Sequence, residues 1–135
     1  MTREQMQEEL KKVCEGKKFN ESQMFELRMG LSRNVDASIY ANPEFDYGQM
    51  YEIREGLEEG LDVSIYVDSR FDNYQMYQIR LGLENELNVS VYAKPYFNEE
   101  QMAQIRLGLW NKINVKIYAK QKYNSSQIDQ IMYEL

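Results

Sequence analysis

The sequence predicts an α/β repeat fold: a short right-handed solenoid in which each unit supplies one helix and one short strand. Three observations carry this. The string FDNYQMYQIRLGLENELNVSVYA at residues 71–93 recurs 26 residues earlier as FDYGQMYEIREGLEEGLDVSIYV and 26 later as FNEEQMAQIRLGLWNKINVKIYA. Its first half carries helix-start signals and helical periodicity, and its second half alternates apolar and polar residues. The chain of 135 residues, 43% hydrophobic and 13% aromatic, is large enough for one core and too aromatic for disorder.

Four full units, 19–44, 45–70, 71–96 and 97–122, begin at Phe19, Phe45, Phe71 and Phe97. A helical half unit, 1–18, precedes them and another, 123–135, follows, each expected to cap a single repeat domain spanning 1–135. Arrays with periods of roughly 20–50 residues bury their apolar faces only by stacking unit on unit. Places within a unit are counted here from its phenylalanine.

Each unit opens F-[DN]-x-x-Q-M. Asn20, Asp46, Asp72, Asn98 and Asn124 are N-caps, and the glutamines three residues on (Gln23, Gln49, Gln75, Gln101, Gln127) complete capping boxes. Thr2 and Gln5 repeat the device near the N-terminus. The aromatic before the cap and the residue after the glutamine, such as Phe71 and Met76, form a hydrophobic staple. At 100° per residue, places 6, 9 and 13 (Met76, Ile79, Leu83) make the core stripe. Places 7 and 11 lie on one flank, and the glycine of place 12 (Gly30, Gly56, Gly82, Gly108) lies on the other. A helical glycine costs about 1 kcal/mol relative to alanine, so its return implies close approach. The expected arrangement sets the bulky flank of one helix on the glycine flank of its neighbour.

The unit closes on apolar-[DN]-V-x-[IV]-Y, as in Leu61-Asp62-Val63-Ser64-Ile65-Tyr66, which reads as a strand by its alternation and β-branched residues. The Asp or Asn there is also suited to ending the helix in the left-handed conformation. Ala-Asn-Pro-Glu, Val-Asp-Ser-Arg and Ala-Lys-Pro-Tyr then turn the chain back. An all-α repeat with the same helices and merely extended connectors is the alternative.

The remaining composition is exclusive rather than informative. A net charge of -6 disfavours direct binding to nucleic acid or to anionic membranes, and no apolar run approaches a membrane span. The charged start MTREQMQEEL is not a signal peptide, and the single cysteine, Cys14, suits a cytoplasmic setting. There is no histidine, no Gly-rich phosphate loop, no nucleophile beside a base and no metal-ligand cluster. The sequence therefore reads as a non-enzyme with no cofactor.

The string F-D-x-x-Q-M-x-x-I-R-x-G-L followed by V-S-x-Y-A resembles a repeat found in tandem in proteins of firmicute phages, plasmids and conjugative elements, over residues 19–131. That family has no assigned activity, so the resemblance implies a bacterial host cell and a mobile-element setting, and no catalytic residues. Accessory proteins of such elements often disarm host defence.

Candidate binding residues are those the repeat does not force. Tyr47, Tyr51, Tyr74 and Tyr77 cluster near the helix starts of the middle units, with place 4 (Tyr74) facing solvent. Place 7 (Tyr51, Tyr77) has flank packing as its structural role. Trp110 stands at place 14, where other units have Ser32, Glu58 and Glu84. Glu52, Glu55, Glu58 and Glu59 crowd one helix and offer a negative surface able to imitate nucleic acid before a protein that binds it. Residues 1–100 carry 20 acids and 11 bases, whereas 101–128 carry five bases and no acid. Two rows suggest a small ligand instead. Arg28, Arg54, Arg80 and Arg106 at place 10 would meet an anion such as a nucleotide, or else satisfy loop carbonyls and the Asp or Asn that opens the strand. Tyr40, Tyr66, Tyr92 and Tyr118 would form a half-buried ladder with wet hydroxyls, of which Tyr66 and Tyr92 are the ligand-stacking candidates. The leading functional expectation is a protein-binding module, in its most concrete form an inhibitor of a host defence nuclease. A nucleotide-sequestering protein and a purely structural or self-associating module are the alternatives.

Overall fold

A computed structural model describes residues 1–135, which form two compact units, Met1–Asp72 and Asn73–Leu135. The first holds α1 (Arg3–Cys14), α2 (Glu21–Ser32) and α3 (Tyr47–Glu58), with single 3-10 turns η1 (Ala37–Ile39) and η2 (Val63–Ile65). The second holds α4 (Asn73–Glu84), η3 (Val89–Val91), α5 (Glu99–Trp110), η4 (Val115–Ile117) and α6 (Ser125–Glu134). In the first unit α2 packs between α1 and α3; in the second α5 packs between α4 and α6.

The helix starts follow the sequence. Thr2, Asn20, Asp46, Asn98 and Asn124 each sit in extended backbone, accept from the N–H of the glutamine three residues on, and donate their own backbone N–H to its side-chain Oε1. The glutamine does more than the capping box requires. Gln49 Nε2 also donates to the carbonyls of Ser69 (3.3 Å) and Phe71 (2.6 Å), and Gln23 Nε2 to those of Pro43 and Phe45. In the second unit Gln75 and Gln101 hold Pro95, Phe97, Gln121 and Tyr123 in the same way. One buried side chain thus closes its own helix start and clamps the turn leading to the next.

The α/β prediction is overturned: the chain has six helices, no strand and no sheet. The reason lies in which residues of the Val-x-Ile-Tyr segment are buried. Val63 and Tyr66 point into the core, as do Val89 and Tyr92, and these are three residues apart rather than two. That spacing is the period of a 3-10 helix. Tyr66 N–H bonds Val63 C=O at 2.9 Å, closing the turn. Asp62 starts it by accepting from the Ser64 amide (3.1 Å) and hydroxyl (2.6 Å), a local geometry that competes with any ladder. The connectors are therefore hydrogen-bonded turns, not extended chain either. Nor does the Asp or Asn end the helix in left-handed conformation. That falls two residues earlier, at Asn34, Gly60, Glu86 and Lys112, with φ of 57–74°. There the amide of the following residue reaches back to the carbonyl of the repeated glycine, as Leu61 does to Gly56 at 2.9 Å, completing a Schellman closure.

The expected role of the glycines is also corrected. Places 7 and 11 do not pack onto them: Phe25, Tyr51, Tyr77 and Leu107 are exposed. What approaches each glycine is the tyrosine ten residues on in its own repeat. A β-carbon at Gly30 would overlap the Tyr40 hydroxyl, and the same holds for Gly56 with Tyr66, Gly82 with Tyr92 and Gly108 with Tyr118. The tyrosines are wholly buried rather than half-wet. Three of them donate into the helix backbone one turn before the glycine: Tyr40 to Glu26 (2.6 Å), Tyr66 to Glu52 (2.7 Å) and Tyr92 to Gln78 (2.7 Å). The Tyr118 hydroxyl has no partner.

Candidate functional site

With places 6 and 9 buried beneath each helix (Met50 and Ile53, Met76 and Ile79, Met102 and Ile105), the opposite side of the helix is set by places 3, 4, 7, 11 and 14. This outer face carries large apolar side chains. In the first unit it presents Phe25 on α2 and Tyr47 (62% exposed) and Tyr51 on α3. In the second it presents Tyr74 (59%) and Tyr77 (41%) on α4, with Leu107 and Trp110 (58%) on α5. Tyr47, Tyr74, Tyr77 and Trp110 are thus in solvent, where the sequence places a partner-binding surface. Phe25 and Leu107 belong to it too, at places 7 and 11, which the sequence pattern alone assigns to flank packing. The signal that separates the two is the co-recurrence of glycine and tyrosine ten residues apart, which accounts for the glycine and leaves place 7 free.

Two of these tyrosines are held by arginines. The Arg54 guanidinium lies over the Tyr51 ring at 5.2 Å from its centroid, and Arg80 over Tyr77 at 5.4 Å. The arginine row is otherwise occupied within the protein. Arg54 is 4% exposed; its Nε donates to Glu26 Oε2 at 2.7 Å, and its Nη1 meets both Glu58 and Glu55. Burial works against its charge, but the hydrogen bond and charge of Glu26, joined by Glu58 and Glu55, hold its pKa above the usual value. Arg33 adds a bond to Glu58 at 3.0 Å. Arg80 is buried against Glu84, and Arg106 donates to Gln78 Oε1 at 2.9 Å. Arg54, Arg80 and Arg106 therefore meet side chains of places 8, 11 and 14. Arg28 alone is exposed. Tyr66 and Tyr92 are fully buried with their hydroxyls engaged, so of the two proposed ligand rows only Arg28 stands fully in solvent.

The acidic cluster is similarly divided. Glu52 is buried, Glu58 is bound by two arginines, Glu55 is half-buried beside Arg54, and Glu59 is exposed. No group of three or more Cys, Asp or Glu is placed to hold a metal ion, and no helix is long and apolar enough to cross a membrane.

Fold and face together define an all-helical tandem-repeat chain with an exposed aromatic helix surface. No model of a known family, no curated protein and no solved structure matches it.

Proposed function

We propose that this chain is a non-catalytic protein-binding repeat module, and that its outer helix faces are the contact surface. The observation that carries this is the set of large exposed side chains Tyr77, Leu107 and Trp110 in the second unit, with Tyr77 held against the buried Arg80. Tyrosine and tryptophan lose little conformational freedom on binding and dominate interface energetics. A tyrosine already fixed against a buried arginine loses less still. Glu55 and Glu59 give the first unit a polar rim beside Tyr51.

The resemblance to mobile-element repeats makes the bacterial cytoplasm the setting and a nucleic-acid-binding defence protein the partner class that suits an acidic chain. In that version the chain inhibits its partner by covering a surface that otherwise meets nucleic acid. The test is affinity capture from nuclease-treated host lysate with the wild type and with Leu107→Ser/Trp110→Ser. A stoichiometric partner held by the wild type and lost by the variant, with melting temperature retained, supports the proposal. Equal capture by both proteins, or no partner, overturns it.

A further inference from the structure

The turn that follows each helix has a neighbour in the first unit. Ile39, the place-21 residue of η1, lines one groove together with Leu57, Leu61 and Val63, which are places 13, 17 and 19 of the next repeat. That apolar row thus borders the isoleucine of the preceding turn. The first repeat has the same row in Leu31, Val35 and Ala37, but the segment joining α1 to α2, residues 15–20, contains no 3-10 turn. No place-21 side chain precedes the row, and it forms instead one wall of an open groove of about 640 Å³, with Val13 and Glu9 of α1 on the other side and Asp36 at its margin.

The fourth repeat offers the matching element. Its place-21 residue, Ile117, is 49% exposed, more than Ile39, Ile65 or Val91. Beside it stands Lys116, exposed, where the three earlier turns have Ser38, Ser64 and Ser90. The turn that departs from the serine pattern does so by a positive charge, and the groove carries two negative ones, Glu9 and Asp36. Glu9 has only a solvent-exposed partner, Lys12 at 3.3 Å, which leaves its charge effective at the groove.

We propose that two copies of this chain associate head to tail, with the turn Val115–Ile117 of one seated in the groove between Val13 and the row Leu31, Val35 and Ala37 of the other, Lys116 set against Glu9 and Asp36. The contact joins two different surfaces, so it propagates rather than stopping at a symmetric dimer. A single turn buries little area, which makes the association weak and salt-sensitive. This surface is separate from the outer aromatic face and does not depend on it.

The test is sedimentation of the purified 135-residue chain from about 10 µM to 1 mM, a span that covers weak association. The wild type is expected to gain average mass with concentration and to lose the gain in high salt. Ile117→Asp is expected to stay monomeric, with an unchanged helical spectrum because the position is half-exposed. Lys116→Glu and Glu9→Lys are each expected to be monomeric alone and to associate when mixed, since the swapped charges meet only across that contact. A wild type that remains monomeric throughout overturns the proposal. So does association that survives Ile117→Asp, or a mixture of the two swapped variants that stays monomeric.

Discussion

The hydroxyl of Tyr40 occupies the space that a β-carbon on Gly30 would fill, and donates to the Glu26 carbonyl one turn earlier on the same helix. The two residues are one device, so they are expected to be coupled. Gly30→Ala gains helix propensity yet forces the ring out, for an expected net loss of about 2 kcal/mol. Tyr40→Phe loses one hydrogen bond, about 1 kcal/mol. In the double variant the ring's Cζ would lie 3.1 Å and Val35 Cγ2 3.2 Å from the new β-carbon, contacts that small shifts relieve. Chemical denaturation is expected to show the double variant losing less than the sum of the singles by at least about 1 kcal/mol. Gly56 is a poorer site for the same cycle, because Val63 Cγ1 would stand at 2.6 Å even without the hydroxyl.

How much of this was legible in the sequence depends on range. The period of 26 was legible as direct recurrence of one string, and the helix spans and capping boxes because each rests on residues within about a turn of one another. The Val-x-Ile-Tyr segment misled because β-branched alternation over four residues is compatible with both strand and 3-10 turn. The choice was made by Asp62 folding onto Ser64 and by Val63 and Tyr66 sharing the buried side. The arginine partners were out of reach because Arg54 and Glu26 are 28 residues apart, and no local pattern links places 10 and 8 of successive repeats. Of the candidate face, Tyr74 and Trp110 were legible as residues the repeat did not need, whereas Phe25 and Leu107 required knowing what fills the glycine gap.

The clamp glutamines separate two roles of one motif. At Gln49, only 5% exposed, Glu keeps the acceptor for the Asp46 amide but removes both Nε2 donors and sets a carboxylate against the Ser69 and Phe71 carbonyls. Gln49→Glu is expected to cost about 3 kcal/mol near neutral pH. Burial raises the folded pKa of the introduced carboxyl, so its protonated form is favoured in the fold, and the deficit shrinks as pH falls. Gln127 is exposed, and its side chain makes only the capping box. Gln127→Glu should therefore change stability by less than about 0.5 kcal/mol, and thermal melts of the pair measure the clamp apart from the cap.

Left-handed backbone follows each of the four repeat helices, but only one of those positions is glycine. Glu86 (φ 57°) and Lys112 (φ 59°) adopt it with full side chains. Each conformation costs roughly 1–2 kcal/mol, less the greater entropy that glycine loses on folding. Glu86→Gly and Lys112→Gly are therefore each expected to stabilise by about 0.5–1 kcal/mol. Gly60→Ala should destabilise by a similar amount through φ alone, because nothing lies within 4 Å of the added carbon. Urea midpoints for the three variants check the set. A loss on introducing glycine at Glu86 or Lys112 would show that these side chains contribute more than the backbone strain they impose.

Alkali should unfold the protein through its buried phenols. Burial holds the hydroxyls of Tyr40 and Tyr92 well above the ordinary value of 10.0, and raises that of Tyr118 as well. With the folded pKa above the unfolded one, the folded chain keeps protons that the unfolded chain releases. The stability is fully present below pH 10 and is lost as pH rises through the folded pKa. Each such phenol lowers the unfolding free energy by about 1.4 kcal/mol per pH unit in that window, so Tyr40 and Tyr92 together make the decline steep. Near-ultraviolet titration followed beside the helical signal is the check. The buried group should then ionise in one step together with loss of that signal. In Tyr92→Phe the dependence of stability on pH above 10 should be shallower by one proton, although the variant starts less stable. Ionisation of the buried phenols with helicity unchanged would mean that they are not sealed beneath the helices as their geometry requires.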